Sequence, residues 1–139
     1  MNVFTFKPRF EAPALAGVKI HTLRGHRKDG KPRAQVGERI SLRVWTGRPY
    51  ASKQREFAQA TVEHVVPVHV TRLRILRADQ WDNFSRGIGP EPTSLDRRQI
   101  ARRDGFANWR EMKAFFQAES GLPFSGVMVV WKDLMPTKA

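Results

Sequence analysis

The chain has 139 residues, of which 25 are Lys or Arg and 13 are Asp or Glu, so its formal net charge is +12. This length suits one domain with one core, and a hydrophobic content of 40% excludes a disordered polycation. Without cysteine there is no disulfide, thiolate zinc site, iron–sulfur cluster or cysteine nucleophile. No apolar run approaches the roughly 18 residues of a membrane helix. The first residues also lack the apolar stretch of a signal peptide, so we expect a cytoplasmic protein with no membrane partner.

Five segments have the composition or the alternation of β-strands. They are residues 3–6, 37–45, 57–66, 68–76 and 126–131. The second alternates apolar and polar side chains, which is typical of a strand with one face in the core. Pro67 separates the third and fourth segments, and because proline lacks a ladder donor it predicts a bend or bulge there.

Helical signals lie near the start of the chain and between the last two strand regions. Residues 8–16 predict a brief helix that Gly17 ends. Thr93 is the predicted cap of a helix from Ser94 to Arg103, followed by Gly105 in a left-handed conformation with Phe106 after it. Asn108 predicts the cap of a last helix, whose apolar stripe we assign to the core. Residues 77–92 predict a long excursion rather than a second domain.

The positive charge is concentrated in the first part of the chain. Residues 1–57 contain thirteen basic and four acidic side chains, a net charge of +9. The densest stretch, residues 24–33, has the glycines and proline of an exposed loop. Such a patch favours nucleic acid as a partner, although solubility alone also explains it. The predicted nucleic-acid contacts are Arg9, His21, Arg27, Lys28, Lys31 and Arg33.

One basic segment also has a candidate nucleophile. A Thr22 hydroxyl needs a base to accept its proton, and a Lys19 held away from water has a lowered pKa and can act as that base. The two side chains meet only if the backbone turns between them, since in a regular strand they point to opposite faces. Arg24 can hold a phosphate or an oxyanion. An incidental threonine in a basic loop is the alternative interpretation.

Asp104 is a second unusual residue, since it falls at the C-terminal end of a predicted helix, where the helix dipole disfavours an anion. A salt bridge to Arg102 or Arg103, or simple solvation, is the alternative to a functional role. No cofactor motif is present, and the spacings of the four histidines match no zinc pattern. We therefore expect neither a metal nor a cofactor.

The segment GVKIHTLR at residues 17–24 resembles the G-x-K-x-x-T-x-R signature of the ASCH domain family. Residues 36–40 (VGERI) are similar to the element that opens that family's next strand, and residues 104–106 (DGF) to its acidic-Gly-Phe element. The last predicted strand also matches. This resemblance spans roughly residues 4–132. It implies an α+β fold, namely a small PUA-like β-barrel of about five to six strands with flanking helices. Residues 1–139 would form a single domain, with loop insertions near 24–36 and 77–92.

Some bacterial ASCH proteins are similar to amidohydrolases that remove the acetyl group of N4-acetylcytidine with a Thr nucleophile, a Lys and a Glu. By motif, the resemblance assigns these roles to Thr22, Lys19 and Asp104, with Arg24 as a supporting cation. Asp104 stands where the hydrolase pattern has Glu. The implied partner is RNA or a modified nucleoside.

Two other functions stay open from the sequence. Other ASCH proteins are proposed to bind RNA, which implies a non-catalytic module whose basic loop follows phosphates. Some are linked with RNA cleavage, which implies a metal-independent ribonuclease with His21 moving a proton. The sequence indicates neither which of the three applies nor the oligomeric state.

Overall fold

The structure, a computed structural model, describes residues 1–138. It contains six strands: β1 (Asn2–Phe6), β2 (His21–Gly25), β3 (Arg39–Trp45), β4 (Gln54–Val70), β5 (Ile75–Arg77) and β6 (Phe124–Pro136). Its α-helices are α1 (Glu11–Leu15), α2 (Ala78–Ser85), α3 (Arg97–Arg103) and α4 (Trp109–Glu119), with a short 3₁₀ helix at Pro8–Phe10. Among residues 1–138, no helix combines the length and the apolar character needed to cross a membrane.

All six strands form one mixed sheet in the order β1-β3-β4-β6-β2, with β5 pairing beside β4. The β1–β3 pair is parallel, and the other pairs are antiparallel. The long strands β4 and β6 form its centre, and β1 and β2 are its two ends. This sheet curls into a half-barrel with the helices around it, so the predicted α+β class is confirmed.

Four of the predicted strand segments, 3–6, 37–45, 57–66 and 126–131, overlap β1, β3, β4 and β6. Segment 68–76 is divided between the end of β4 and β5, and β2 is not among the predicted strands. The bulge predicted at Pro67 is wrong. Strand β4 runs through Pro67, and its register shifts instead at residues 59–61 and 62–64. Pairing of β4 with β3 ends at Thr61, and pairing with β5 begins at Val68. Pro67 therefore has a neighbour only on the β6 side, and proline is tolerated where a strand has a free edge.

The predicted cap of α3 is also wrong. Asp96, not Thr93, is the cap, because its carboxylate accepts hydrogen bonds from the Arg98 and Gln99 amides. Ser94, predicted as the first helical residue, instead forms a β-bridge with Leu76. The end of α3 is as predicted: Gly105 has a φ of +94°, and the Phe106 N–H donates to the Ala101 carbonyl at 2.9 Å.

Helix α4 and the segment 77–92 complete the fold. Asn108 caps α4 by accepting from the Glu111 N–H at 2.9 Å, as predicted. Met112 and Phe116 of α4 are buried in the core cluster, which confirms the predicted role of the apolar stripe. Within segment 77–92, residues 78–85 form α2, a helix that was not predicted. None of the side chains of α2 is buried. A helix that packs so little against the core needs no strong apolar face, so its sequence lacks the pattern that would predict it.

Candidate functional site

The chain turns between α1 and β2, just before the Lys19–Thr22 pair. The Val18 and Lys19 amides both donate to the Pro13 carbonyl at 3.0 Å, which ends the α1 turn. Lys19 therefore lies before β2, which begins at His21, whereas Thr22 lies within it. Because Lys19 precedes the regular strand, strand alternation does not fix its side, and both residues line one cleft.

Lys19 is buried, with 2% of its surface exposed, and its ammonium group has three hydrogen-bond acceptors. Its Nζ donates to the His21 carbonyl at 2.9 Å, to the Asp104 carbonyl at 2.7 Å and to Asp104 Oδ1 at 3.3 Å. The face of the Phe10 ring lies 4.8 Å from Nζ. The three acceptors match the three N–H bonds of the charged Lys19 ammonium group.

The Asp104 carboxylate is the ionic partner of Lys19. It lies at the C-cap of α3, is 3% exposed, and accepts from two groups on the same oxygen, Lys19 Nζ and His21 Nδ1 at 3.0 Å. The neighbouring Arg102 and Arg103 are exposed. Buried pairing with Lys19 and His21 thus replaces the surface salt bridge that was the alternative interpretation. A side chain one methylene shorter than Glu does reach the lysine.

Burial controls the proton affinity of Lys19. Loss of water around the ammonium lowers the pKa of Lys19 from its ordinary value, and this effect outweighs the attraction of the Asp104 carboxylate, which raises it. The positive charge of Arg24 lowers the pKa of Lys19 further. A neutral amine at this position is therefore reached at a lower pH than for a solvent-exposed lysine.

Arg24 fixes the position of the Thr22 hydroxyl. Its Nε donates to Thr22 Oγ1 at 3.1 Å, and its Nη2 donates to the Thr5 carbonyl at 2.9 Å. The guanidinium also lies 4.8 Å from the ring centre of Phe6. Burial lowers the pKa of Arg24 to about 10, so it keeps its charge at neutral pH. Because Thr22 Oγ1 accepts from Arg24, its own hydrogen remains available for a base.

These side chains line one cleft with a volume of about 390 Å³. Among the lining residues are Lys19, Thr22, Arg24 and Asp104. Thr22 is 5% exposed, and the remaining wall is largely aromatic. Lys19 and Thr22 are the candidate pair predicted from the sequence. The structure places them in the same cavity as Arg24 and Asp104.

Two aromatic residues at the cleft were missed by the sequence analysis. Trp45 ends β3, and the Tyr50 ring lies 5.1 Å from the Trp45 ring. Tyr50 is 91% exposed and has a φ of +62°, a conformation that is uncommon for residues other than glycine. The turn-forming sequence Gly-Arg-Pro-Tyr after a strand was the only available signal. An exposed aromatic on a strained turn beside a cavity is a functional candidate.

The predicted basic loop is partly neutralised by its own contacts. Arg27 forms two hydrogen bonds to the Asp29 carboxylate, at 3.1 and 2.7 Å. Arg33 donates to the Gly25 carbonyl at 2.6 Å, which fastens the loop to the end of β2. Lys28 and Lys31 are exposed. The loop therefore presents its lysines to solvent more freely than its arginines.

The other two predicted nucleic-acid contacts occupy different environments. Arg9 is half-exposed, forms an ion pair with Glu111, and stacks over the rings of Phe10 and Phe106. His21 is 3% exposed and does not line the cleft. His21 contacts Asp104 from the side away from the cleft. It is therefore poorly placed to move a proton to or from a substrate in the cleft, as the ribonuclease hypothesis requires. Within residues 1–138, no group of three or more His, Asp or Glu side chains is arranged to hold a metal.

No protein-family model matches the chain, and no curated protein matches it. Solved structures do match. The crystal structure of ASCH from Zymomonas mobilis aligns with 96% of this chain and 68% of its own, at 18% identity and a TM-score of 0.50. A tyrosine-to-phenylalanine mutant of that protein aligns with 98% and 71% of the two chains, at 17% identity and a TM-score of 0.51.

The architecture is thus a small α+β half-barrel whose fold is similar to that of the ASCH structures. In particular, the chain has an ASCH-like fold, and the resemblance predicted from its motifs is confirmed at the level of the fold.

Proposed function

We propose that the cleft binds one nucleoside, free or within RNA, and hydrolyses the exocyclic amide of an N-acylated cytosine. The observation that carries the proposal is the position of Lys19, Thr22, Arg24 and Asp104 around a single cleft of about 390 Å³. This volume lies within the range of small-ligand pockets and suits a nucleoside. The ASCH-like fold supports an RNA-related ligand.

The proposed reaction uses the Thr22 hydroxyl as nucleophile. Its oxygen forms a bond to the acyl carbon while neutral Lys19 accepts its proton, and the lysine then gives this proton to the departing exocyclic nitrogen. The C–N bond breaks and cytidine leaves. Water then gives a proton to Lys19 as its oxygen bonds to the acyl carbon of the Thr22 ester. The bond between this carbon and Thr22 Oγ1 breaks, Lys19 returns the proton to Thr22 Oγ1, and the carboxylic acid leaves. Arg24 stabilises the oxyanion that forms in each step.

Asp104 is a positioning residue in this scheme. A charged Lys19 uses all three of its N–H bonds on Asp104 and His21. The neutral amine has only two N–H bonds and a lone pair, so loss of one proton creates the acceptor that the Thr22 hydroxyl needs. The two Asp104 oxygens hold the amine in place while this change occurs. The aromatic walls, including Tyr50, offer faces on which the base can stack.

Incubation with N4-acetylcytidine tests the proposal. We expect release of cytidine without added metal, measured by chromatography. The rate should increase with pH as Lys19 loses its proton. Replacement of Thr22 by valine removes the hydroxyl but keeps the branched shape, and should lower kcat at least about a thousandfold. Thr22→Ser should retain activity, since it keeps a hydroxyl.

Two outcomes contradict this scheme. No cytidine at high concentrations of the parent protein would exclude the hydrolysis. Sustained turnover by Thr22→Val would exclude Thr22 as the nucleophile even if the activity is present. Binding of cytidine, measured by calorimetry in both proteins, separates loss of chemistry from loss of the cleft.

A non-catalytic RNA-binding module is the second candidate, and the exposed lysines of the basic loop favour it. Charge reversal at both Lys28 and Lys31 should weaken RNA binding about tenfold or more and similarly for all sequences, since phosphate contacts carry no base information. Arg27→Gln should have a smaller effect, because Asp29 already balances that charge.

Titration of labelled single-stranded RNA over a range of salt concentrations provides the measurement. Each lost phosphate contact should reduce the slope of log affinity against log salt by about one. Lys132→Glu is the control, because Lys132 is also exposed but lies on β6. An affinity that does not change with salt, or equal weakening by Lys132→Glu, would rule out the basic loop as the RNA contact.

A further inference from the structure

A second cavity of about 390 Å³ lies beside helix α3, where the helix faces β4 and β6. It shares no lining residue with the cleft. Apolar side chains such as Ile100, Met128 and Val130 form much of its wall. His21, Gln99 and Arg103 are among its polar residues. The strand β2 thus has a cavity on each side, one reached by Thr22 and the other by His21.

The polar group that needs a partner at this cavity is the His21 ring. His21 is 3% exposed, and its Nδ1 lies 3.0 Å from Asp104 Oδ1. Asp104 is a carboxylate that can only accept, so the hydrogen belongs on Nδ1. The other ring nitrogen, Nε2, is buried, and within residues 1–138 it has no hydrogen-bond partner. Such a group is costly to leave unpaired, which makes it a candidate for ligand recognition.

Positive charge surrounds the opening of the second cavity. Arg77 and Arg103 line it, and both are exposed. The one carboxylate in the lining, that of Asp96, already accepts from two amides of α3 at 3.1 Å each. Arg77 Nε donates to Asp79 Oδ1 at 3.2 Å, so this guanidinium offers its outer Nη groups to a ligand. An anion at the opening therefore meets the Arg103 guanidinium and the Nη groups of Arg77, and guanidinium groups bind phosphate with good geometry.

We infer that this second cavity binds a nucleoside phosphate, with the base hydrogen-bonded to His21 Nε2 and the phosphate held by Arg103 and Arg77. The ligand must be polar at both ends, because His21 is deep in the protein and the arginines are at its surface. Between these ends it must be flat and apolar enough to pack against Met128 and Ile100. A fatty acid lacks the inner polar group, and inorganic phosphate lacks the apolar body. A nucleobase joined to a phosphate has all three properties.

Methionine methyl NMR of the full chain tests this inference with cytidine 5′-monophosphate as the probe. Met128 lines the second cavity, whereas Met135 is exposed near the end of β6. We expect a saturable shift of the Met128 methyl signal with Met135 unchanged. Inorganic phosphate and cytidine, added separately, should each bind about tenfold more weakly or worse, because each lacks one half of the contacts.

Arg103→Gln and Arg102→Gln form a matched pair of variants. Both remove one charge from the last turn of α3, but only Arg103 lines the cavity. Arg103→Gln should weaken the Met128 titration about tenfold, and Arg102→Gln should leave it nearly unchanged. Thr22→Val should not affect it, so this result is independent of the proposed hydrolysis. Equal weakening by the two arginine variants, or a Met128 signal that does not move at millimolar probe, would overturn the inference and leave a cavity that holds only water.

Discussion

Replacement of Asp104 by asparagine is expected to lower the free energy of unfolding by about 3–5 kcal/mol, the usual effect of removing one partner from a buried ion pair. Lys19 and His21 both donate to the same Asp104 oxygen, and each is almost fully buried. Without the carboxylate, the Lys19 ammonium keeps two carbonyl acceptors but loses the counter-charge of Asp104. Urea unfolding followed by tryptophan fluorescence measures the change.

The pH dependence of this loss identifies its cause. Asp104 raises the pKa of Lys19, so the asparagine variant should have an even lower Lys19 pKa than the parent protein. In the variant, the unfolded chain binds a proton that the folded chain does not, and stability therefore increases with pH up to the ordinary lysine value of 10.5. The difference between variant and parent should become smaller toward pH 10.

A double variant tests whether the charge of Asp104, and not its shape, determines stability. Lys19→Met with Asp104→Leu removes both charges and should be more stable than Asp104→Asn alone, since no unpaired ion remains. If the double variant is as unstable as the single one, packing around Asp104 and not its charge determines stability there.

Gly126→Ala is expected to lower the free energy of unfolding by about 3 kcal/mol, because the added carbon has no room. A Cβ at Gly126 would lie far inside the contact distance of the Arg24 carbonyl oxygen, and a backbone atom cannot rotate away as a flexible side chain does. The only relief is displacement of β2, which pairs with β6 here. Because β2 contains Thr22, any activity in the cleft should fall together with stability.

Gly25→Ala is the matched control. Gly25 is the partner of Gly126 in the β2–β6 ladder. A Cβ there would lie 3.5 Å from the Phe124 ring, an ordinary contact. Thermal unfolding should therefore show a small change for Gly25→Ala and a large one for Gly126→Ala. Equal changes in the two variants would contradict the close approach of the strands at Gly126 as the cause, since the effect on the unfolded chain is the same for both substitutions.

The sequence predicts most of the fold because its local signals agree with the tertiary structure. The Gly105 turn and the Asn108 cap depend on neighbours within a few residues, and both are confirmed. The effect of Pro67 could not be predicted locally, because it depends on whether another strand lies beside it. The Thr93 cap was wrongly predicted, because Asp96, three residues later, is the better-placed cap.

The candidate site was only partly predictable, because its residues come together through contacts that are distant in sequence. A motif places Lys19 and Thr22 close together in sequence, but the spacing alone does not determine that both line one cleft. Asp104 is 85 residues away from Lys19, so only the fold and the family resemblance connect them. Tyr50 gave no local signal of its nearness to the cleft. The orientation of His21 away from the cleft follows from strand alternation once β2 is known to begin at that residue.

The contact from Arg24 to the Thr5 carbonyl has a consequence for how the cleft opens. Strands β1 and β2 are the two ends of the sheet, and this guanidinium joins them at 2.9 Å while it also holds the Thr22 hydroxyl. Arg24, which positions the Thr22 hydroxyl, therefore also connects the two end strands across the open edge of the half-barrel. A ligand that draws Arg24 toward itself is therefore expected to weaken the contact between β2 and β1, which then depends on its pairing with β3 alone. Amide hydrogen exchange in residues 2–6 reports directly on this weakening.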